Sequence, residues 1–172
     1  MNLIRKTCLL TSAARRDTMQ LWSDFAMNEI SYKNLNAKLL CDFFPEYKEL
    51  ICGIDSGLGE NLPHCLYGNF FNPLIKSLLK NSTKANIEAA KKIFEFYEIL
   101  AGSGDDEVKN LLQVTLLEYL WDDRSIYLSA VKYMGCNTKI INEEIGKYLL
   151  QPANNKSEHN IKTYAEKQKN AL

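Results

Sequence analysis

Apolar residues recur at three- and four-residue steps along most of the chain, which is the pattern of helices that bury one side. The clearest stripe lies within residues 105–120 and comprises Val108, Leu111, Leu112, Thr115, Leu116, Tyr119 and Leu120. A second stripe, from Ile87 to Ala101, is wide enough to predict packing partners on two sides. Alternating runs bounded by hairpin turns do not occur, so the pattern predicts no sheet.

Helix caps and turn residues divide this pattern into segments. Ser31 is expected to cap an early helix, and Gly53 to stop the following one, so that residues 53–63 form the clearest loop. The Asn72-Pro73 step predicts either a kink or a new helix capped by Asn72.

Later segments are joined by shorter connections. Ser82 or Thr83 is expected to cap the next helix, and residues 102–104 to join two helices as a hairpin. Gly135 is expected to be the left-handed cap of a helix over residues 123–134, with Asn137 or Thr138 starting the last helix.

These elements predict an all-α fold, either an irregular bundle or a short α-solenoid of antiparallel helical hairpins, although no clean repeat period is present. We expect an N-terminal helical extension over residues 1–30, a helical core domain over residues 31–150 and a polar C-terminal tail over residues 151–172.

Composition narrows the class of protein. Apolar residues make up 46% and charged residues 24% of the 172 residues, which is typical of a globular domain. Twenty-one basic residues balance twenty-one acidic ones, so no global field favours nucleic acid. No apolar run approaches the roughly 18 residues of a membrane span. Five scattered cysteines favour reduced thiols, which is typical of a cytoplasmic protein.

Few residues in the sequence are candidates for catalysis, metal binding or phosphate binding. One stretch of the chain contains Cys41, Cys52, His64 and Cys65. Zinc ligands usually come in pairs two to four residues apart, and these residues do not have that spacing. His64 and His159 are the only imidazoles, and neither stands in a pattern that predicts a nucleophile triad. The glycine pairs lack the lysine of a phosphate loop. We therefore expect no enzyme activity, no metal and no cofactor.

Surplus acids are the strongest candidate for a binding surface. They stand at two expected helix starts, and capping uses only one acid at each. The candidate partner-binding residues, which include the tryptophan beside the second group, are Asp105, Asp106, Glu107, Trp121, Asp122 and Asp123. Ordinary solvated surface is the competing interpretation. The aromatic group Tyr67, Phe70 and Phe71 is expected in the core.

Several segments carry a resemblance to a known family. They are FFPEYKELI, NLPHCLYGNFF after a glycine-rich loop, KKIFEFYEILAGSGDDEVKNLLQVTLLEYLWDD and KYMGCNTKIINEEI. Over about residues 35–149 the chain resembles small all-α immunity proteins that accompany bacterial polymorphic or contact-dependent growth-inhibition toxins. The resemblance implies a cytoplasmic inhibitor that binds and neutralises a cognate toxin domain, with no catalytic residues.

The acidic middle of the chain is compatible with a basic nuclease as that toxin. Residues 88–124 hold nine acidic and four basic residues, a net charge of −5, and complementary charge speeds association. Two alternatives stay open: a helical-repeat adaptor or regulatory module without a toxin partner, and an enzyme with a deep polar pocket lined by His64 or a cysteine.

Overall fold

The computed structural model describes residues 30–81 and 83–149, and 82% of these residues are helical, with no strand among them. The helices are α1 (Ala37–Phe43), α2 (Lys48–Leu58), α3 (Pro63–Lys80), α4 (Lys84–Ala101), α5 (Asp106–Leu111), α6 (Arg124–Ala130) and α7 (Cys136–Leu149). Short 3-10 turns, Tyr32–Asn34 and Pro45–Tyr47, precede α1 and α2. The all-α prediction is confirmed.

Helix α5 does not end at a turn. It continues as a π-helical segment (Leu112–Leu117) and then a 3-10 segment (Glu118–Asp122), with right-handed helical dihedral angles at both junctions. We call this element, residues 106–122, the α5 rod. The single helix expected over residues 105–120 is therefore present as one rod built from three kinds of helix.

The two longest helices form the centre of the fold. Helix α3 packs against α2, α4, α6 and the π segment, and α4 packs against α3, α5, the π segment and α7. Contacts between α4 and α7 join elements that are distant in the chain, whereas each unit of a solenoid contacts only its neighbours. The described helices therefore form an irregular bundle.

Aromatic rings fill the space between α3, α4 and the end of α1. They belong to Phe44, Tyr67, Phe70, Phe71, Phe96 and Tyr97, all buried. Contacting ring centroids in this cluster lie between 4.7 and 6.3 Å apart. Stacked and edge-on ring pairs add to the stabilisation that burial gives. The prediction that Tyr67, Phe70 and Phe71 are core residues is confirmed.

The expected helix stop at Gly53 is wrong. Helix α2 passes through Gly53 and ends at Leu58, and the following Gly59 has a left-handed φ of 72°. A glycine inside a helix costs about 1 kcal/mol relative to alanine. Burial of Ile51 and packing of Ile54 and Leu58 against the core offset that cost, so tertiary contacts override the local signal.

Some of the helix caps predicted from the sequence are present in the structure, and others are not. Thr83 caps α4 by accepting a hydrogen bond from the Asn86 amide at 3.2 Å. Ser31 makes no side-chain capping bond, and Asn36 caps α1 instead, accepting from the Leu39 amide at 3.0 Å. The Asn72-Pro73 step starts no new helix, because α3 runs through it.

Gly135 is not a left-handed cap. Helix α6 ends at Ala130, and Gly59 is the one glycine with positive φ in the described ranges. A Cβ atom at Gly135 would overlap the carboxyl group of Glu98 in α4. Gly135 therefore makes room for a side chain from another helix.

The predicted N-terminal extension and C-terminal tail lie outside the described residues, apart from Ile30, so those domain boundaries stay predictions. None of the described helices is long and apolar enough to cross a membrane.

Candidate partner-binding surface

The first group of predicted acids lies at the start of the α5 rod. Asp105 caps the rod, accepting hydrogen bonds from the amides of Glu107 at 2.9 Å and Tyr32 at 2.8 Å. The bond from Tyr32 is the main cause that lowers the pKa of Asp105. Its carboxylate therefore holds the chain before α1 against the rod. Asp106 and Glu107 are exposed, and Asp106 forms an ion pair with Lys109 at 3.8 Å.

The second group lies at the other end of the rod. Asp123 caps α6 by accepting hydrogen bonds from the Ser125 hydroxyl at 2.8 Å and the amides of Ser125 and Ile126 at 3.0 and 3.3 Å. The Ser125 hydroxyl is the first of the contacts that lower the pKa of Asp123. Asp122 is exposed and makes no hydrogen bond or ion pair with another described residue. Each end thus has one capping acid and at least one exposed acid.

Trp121 connects the rod to two further helices. Its indole Nε1 donates to Asn142 Oδ1 on α7 at 3.0 Å, and Asn142 Nδ2 donates to the Tyr127 hydroxyl on α6 at 3.1 Å. The ring centroids of Trp121 and Tyr127 lie 4.3 Å apart. A Cβ atom at Gly146 would lie 2.9 Å from the indole. The half-buried indole is thus held rigidly, and its role in binding stays a prediction.

Exposed residues also follow one face of the rod between its ends. They are Asp106, Glu107, Asn110, Val114 and Asp122, and the half-buried Gln113 and Glu118 lie beside them. We call the carboxylates of Asp106, Glu107, Glu118 and Asp122, together with the central Val114, the acidic ridge. The side chain of Val114 is 45% exposed.

The ridge is long. Seventeen residues of continuous helix span about 25 Å at 1.5 Å per residue. The two predicted acid groups therefore lie at opposite ends of this face. Glu118 and Val114, which lie between them, were missed as candidates, although the exposed positions at three- and four-residue steps signalled them.

The π segment at the middle of the ridge is fixed by three residues of α3 at four-residue steps. His64 Nδ1 lies 2.5 Å from the Thr115 hydroxyl, and Asn72 Nδ2 donates to the Thr115 carbonyl at 3.1 Å. A Cβ atom at Gly68 would lie 3.1 Å from Thr115 Cγ2. Val114 lies within this π segment, directly before Thr115, and is exposed. Such turns occur frequently at functional sites.

A family comparison covers most of this architecture. The model of a family described as a domain of unknown function (DUF7674) matches residues 37–147. The chain belongs to this family. The DUF7674 match begins at the first residue of α1 and includes the whole acidic ridge and its support on α3. No curated protein and no solved structure matches the chain.

Within this DUF7674 domain, His64 is the one described histidine. Among the described residues, His64 has a hydroxyl partner in Thr115 and a ring neighbour in Tyr32 at 5.9 Å, and it forms no hydrogen bond or ion pair with a carboxylate. Two surface cavities, of about 50 and 530 Å³, are lined by neither His64 nor a cysteine. Across the same residues, no group of three histidines, cysteines or acids is placed to hold a metal ion.

Proposed function

We propose that this protein is a cytoplasmic immunity protein that binds and neutralises a cognate bacterial toxin domain through the acidic ridge. The observation that carries the proposal is the ridge itself. Four carboxylates follow one face of a rigid rod, and Lys109 is the one basic residue between Asp105 and Asp123. Glu107, Glu118 and Asp122 make no ion pair with any described residue, so their charges are available to a partner.

Charge of one sign along a fixed face favours a partner of opposite charge. Complementary potentials raise the rate of encounter and fix the orientation of docking. Rim charges alone contribute little to affinity, so an apolar contact inside the interface is also needed. Val114 supplies that contact near the middle of the ridge, where the π segment holds it in place.

A basic nuclease domain is the partner that this surface fits best. Nucleases use Lys and Arg side chains to hold phosphates. A rigid row of carboxylates can occupy the same basic groups and so compete with nucleic acid for them. Inhibition of this kind needs no catalytic residue on the inhibitor.

The test uses two triple charge reversals of equal size. The ridge variant is Glu107→Lys, Glu118→Lys, Asp122→Lys, which spares the capping carboxylates of Asp105 and Asp123. The matched control reverses three acids on other surfaces, Glu49→Lys, Glu60→Lys and Glu143→Lys, all exposed. Each variant is co-expressed with the toxin encoded beside its gene, and thermal unfolding verifies that each is folded.

We expect the native chain and the control to protect the cells, and the ridge variant to fail. In a binding measurement with the purified toxin domain, the ridge variant should lose roughly tenfold or more in affinity, chiefly through slower association, and much of its salt dependence. Full protection by a folded ridge variant would contradict docking through the ridge. If the native chain gives no protection, the immunity function is wrong and a regulatory protein-binding module without a toxin partner becomes the better hypothesis.

A further inference from the structure

A second surface of the bundle carries the charge opposite to that of the acidic ridge. Residues 76–87 and 124–142 together contain six basic residues and no acidic one. Four of the six lie where α3 ends, where α4 begins and along α6, with an exposed leucine among them. We call these five exposed residues the basic corner: Lys80, Lys84, Arg124, Leu128 and Lys132.

Tertiary packing brings the basic corner together. Helix α6 packs against α3, and one small cavity is lined by Leu79 of α3, Asn86 of α4 and Lys132. Lys80 directly follows Leu79, and Lys84 begins α4 two residues before Asn86. The lysines at the end of α3, at the start of α4 and after α6 therefore surround the same part of the surface.

Helix α6 supplies the apolar centre of the corner. Arg124 and Leu128 lie about one turn apart on α6, and Lys132 follows four residues after Leu128. Leu128 is 54% exposed. On the acidic ridge, the exposed Val114 likewise precedes Glu118 by four residues. Residues at this spacing are neighbours about 5–6 Å apart on a helix, so a contact between Leu128 and Val114 can place a cation of α6 opposite Glu118.

The charges of the corner and of the ridge are not matched within one chain. The four cations of the corner form no ion pair with another described residue, and the same holds for Glu107, Glu118 and Asp122 of the ridge. The whole chain has no net charge, so two copies do not repel each other at long range. Nucleic acid fits the corner less well, because the acidic ridge repels its phosphates. A second copy offers carboxylates around an apolar centre, which is the complement of the corner.

We propose that this protein self-associates, with the acidic ridge of one copy docked on the basic corner of another. Leu128 of one copy packs on Val114 of the other, and the unpaired charges on both surfaces surround this apolar contact. Every copy has both surfaces, so a twofold arrangement makes the same contact twice. Self-association needs the ridge but no toxin, so it is independent of the proposed immunity function. Where both hold, a toxin domain and a second copy compete for the ridge.

The experiment measures the mass of the full-length chain by analytical ultracentrifugation over a concentration series, at low and at high salt. The corner variant is Lys84→Glu, Arg124→Glu, Lys132→Glu, and glutamate is favourable in the first turns of α4 and α6, where two of these changes lie. Its matched control has the same net charge and reverses three exposed lysines elsewhere, Lys33→Glu, Lys48→Glu and Lys147→Glu. The ridge variant and its own control, defined above, test the opposite surface. Thermal unfolding verifies that each variant is folded.

We expect the native chain and both controls to associate, and to do so more weakly at high salt, because the contacts are charged. The corner variant and the ridge variant should each associate with themselves roughly tenfold or more weakly. Mixing these two variants should restore a complex, because the intact corner of one meets the intact ridge of the other.

A native chain that stays monomeric over the whole series would overturn the proposal, and so would a folded corner variant that associates as strongly as its control. Binding of a short DNA duplex by the native chain, lost in the corner variant and without self-association, would make nucleic acid the partner of the corner instead. A monomeric native chain that still protects cells from the toxin would refute self-association alone. An associating chain that gives no protection would contradict the immunity function alone.

Discussion

Helices α6 and α7 follow each other in the chain, yet they begin in different ways. Helix α6 is capped by Asp123, the residue directly before it. Helix α7 is capped by Glu98 of α4, whose carboxylate accepts hydrogen bonds from the Asn137 amide at 2.8 Å, the Thr138 amide at 2.9 Å and the Thr138 hydroxyl at 2.7 Å. Both carboxylates satisfy amides that a helix start leaves without partners.

The difference lies in what each cap holds together. The Asp123 cap joins residues two and three positions apart, so it stabilises one helix start. The Glu98 cap joins residues 39 and 40 positions apart, so it also holds α7 against α4. Because Trp121 contacts α7 through Asn142 and Gly146, the position of α7 in turn supports the end of the α5 rod.

Removing the distant cap should have the largest effect on stability. Glu98→Ala leaves two amides and a hydroxyl of α7 without their charged acceptor, and we expect it to lower the free energy of unfolding by about 2–3 kcal/mol, because hydrogen bonds to charged groups are the stronger ones. Chemical denaturation measures this loss. The matched control is Glu88→Ala on the same helix, which removes a surface ion pair with Lys91 and should cost about 0.5 kcal/mol or less.

The pH dependence of the same variant tests the mechanism. Burial raises the pKa of Glu98, but hydrogen bonds from Thr138 and Asn137 outweigh burial, and the net pKa lies below its usual value. A lowered pKa stabilises the fold above the ordinary glutamate pKa of about 4.3 and loses that effect as pH falls through the folded value. The difference in unfolding free energy between native and Glu98→Ala should therefore shrink below about pH 4. An undiminished difference at pH 3 would contradict a carboxylate cap.

A smaller effect is expected at Gly135, which makes room for the same carboxylate. In Gly135→Ala the new methyl group displaces the Glu98 side chain, and we expect a loss of about 1–2 kcal/mol. The loss should nearly vanish when Glu98 is already alanine, since the two changes then share one cause. Gly53→Ala is the control: nothing lies within 4 Å of its added Cβ, and alanine in a helix interior should stabilise by up to about 1 kcal/mol. If the double variant instead loses the sum of the two unfolding free energies, Gly135 does not act through Glu98.

The smallest effect should come from the local cap. Asp123→Ala removes bonds to Ser125 and Ile126, but water can reach the freed groups at this exposed site, and no other helix depends on them. We expect Tm to fall by less than in Glu98→Ala, as circular dichroism can measure. A loss at Asp123 equal to that at Glu98 would mean that the local cap also organises the bundle.

Sequence reasoning succeeded where neighbours in the chain decide the structure. Thr83, Asp105 and Asp123 cap the helices that follow them, as expected, because each bonds to amides two or three residues away. It failed at Gly53 and Gly135. At Gly53 packing on both sides of the glycine outweighs a local helix breaker, and at Gly135 the glycine accommodates a side chain from α4.

The candidate surface also has features that neighbouring residues predict and features that depend on tertiary contacts. The surplus acids at both ends of the rod were visible in the sequence, since a cap uses one acid. Their separation was not, because it depends on the α5 rod continuing through a π turn that packs against α3, α4 and α7 and is bonded to α3 through His64 and Asn72. The exposed Val114 lies within the same turn.

The amino-acid sequence by itself determined that this protein is helical, which faces its helices bury and where most of them begin, since periodicity and capping act within about four residues. Only the tertiary structure decided how α7 is seated, how the α5 rod is wound and which carboxylates stay exposed. Those features depend on contacts between residues tens of positions apart, such as Glu98 with Thr138 and Asn72 with Thr115, and such contacts form only when the helices pack.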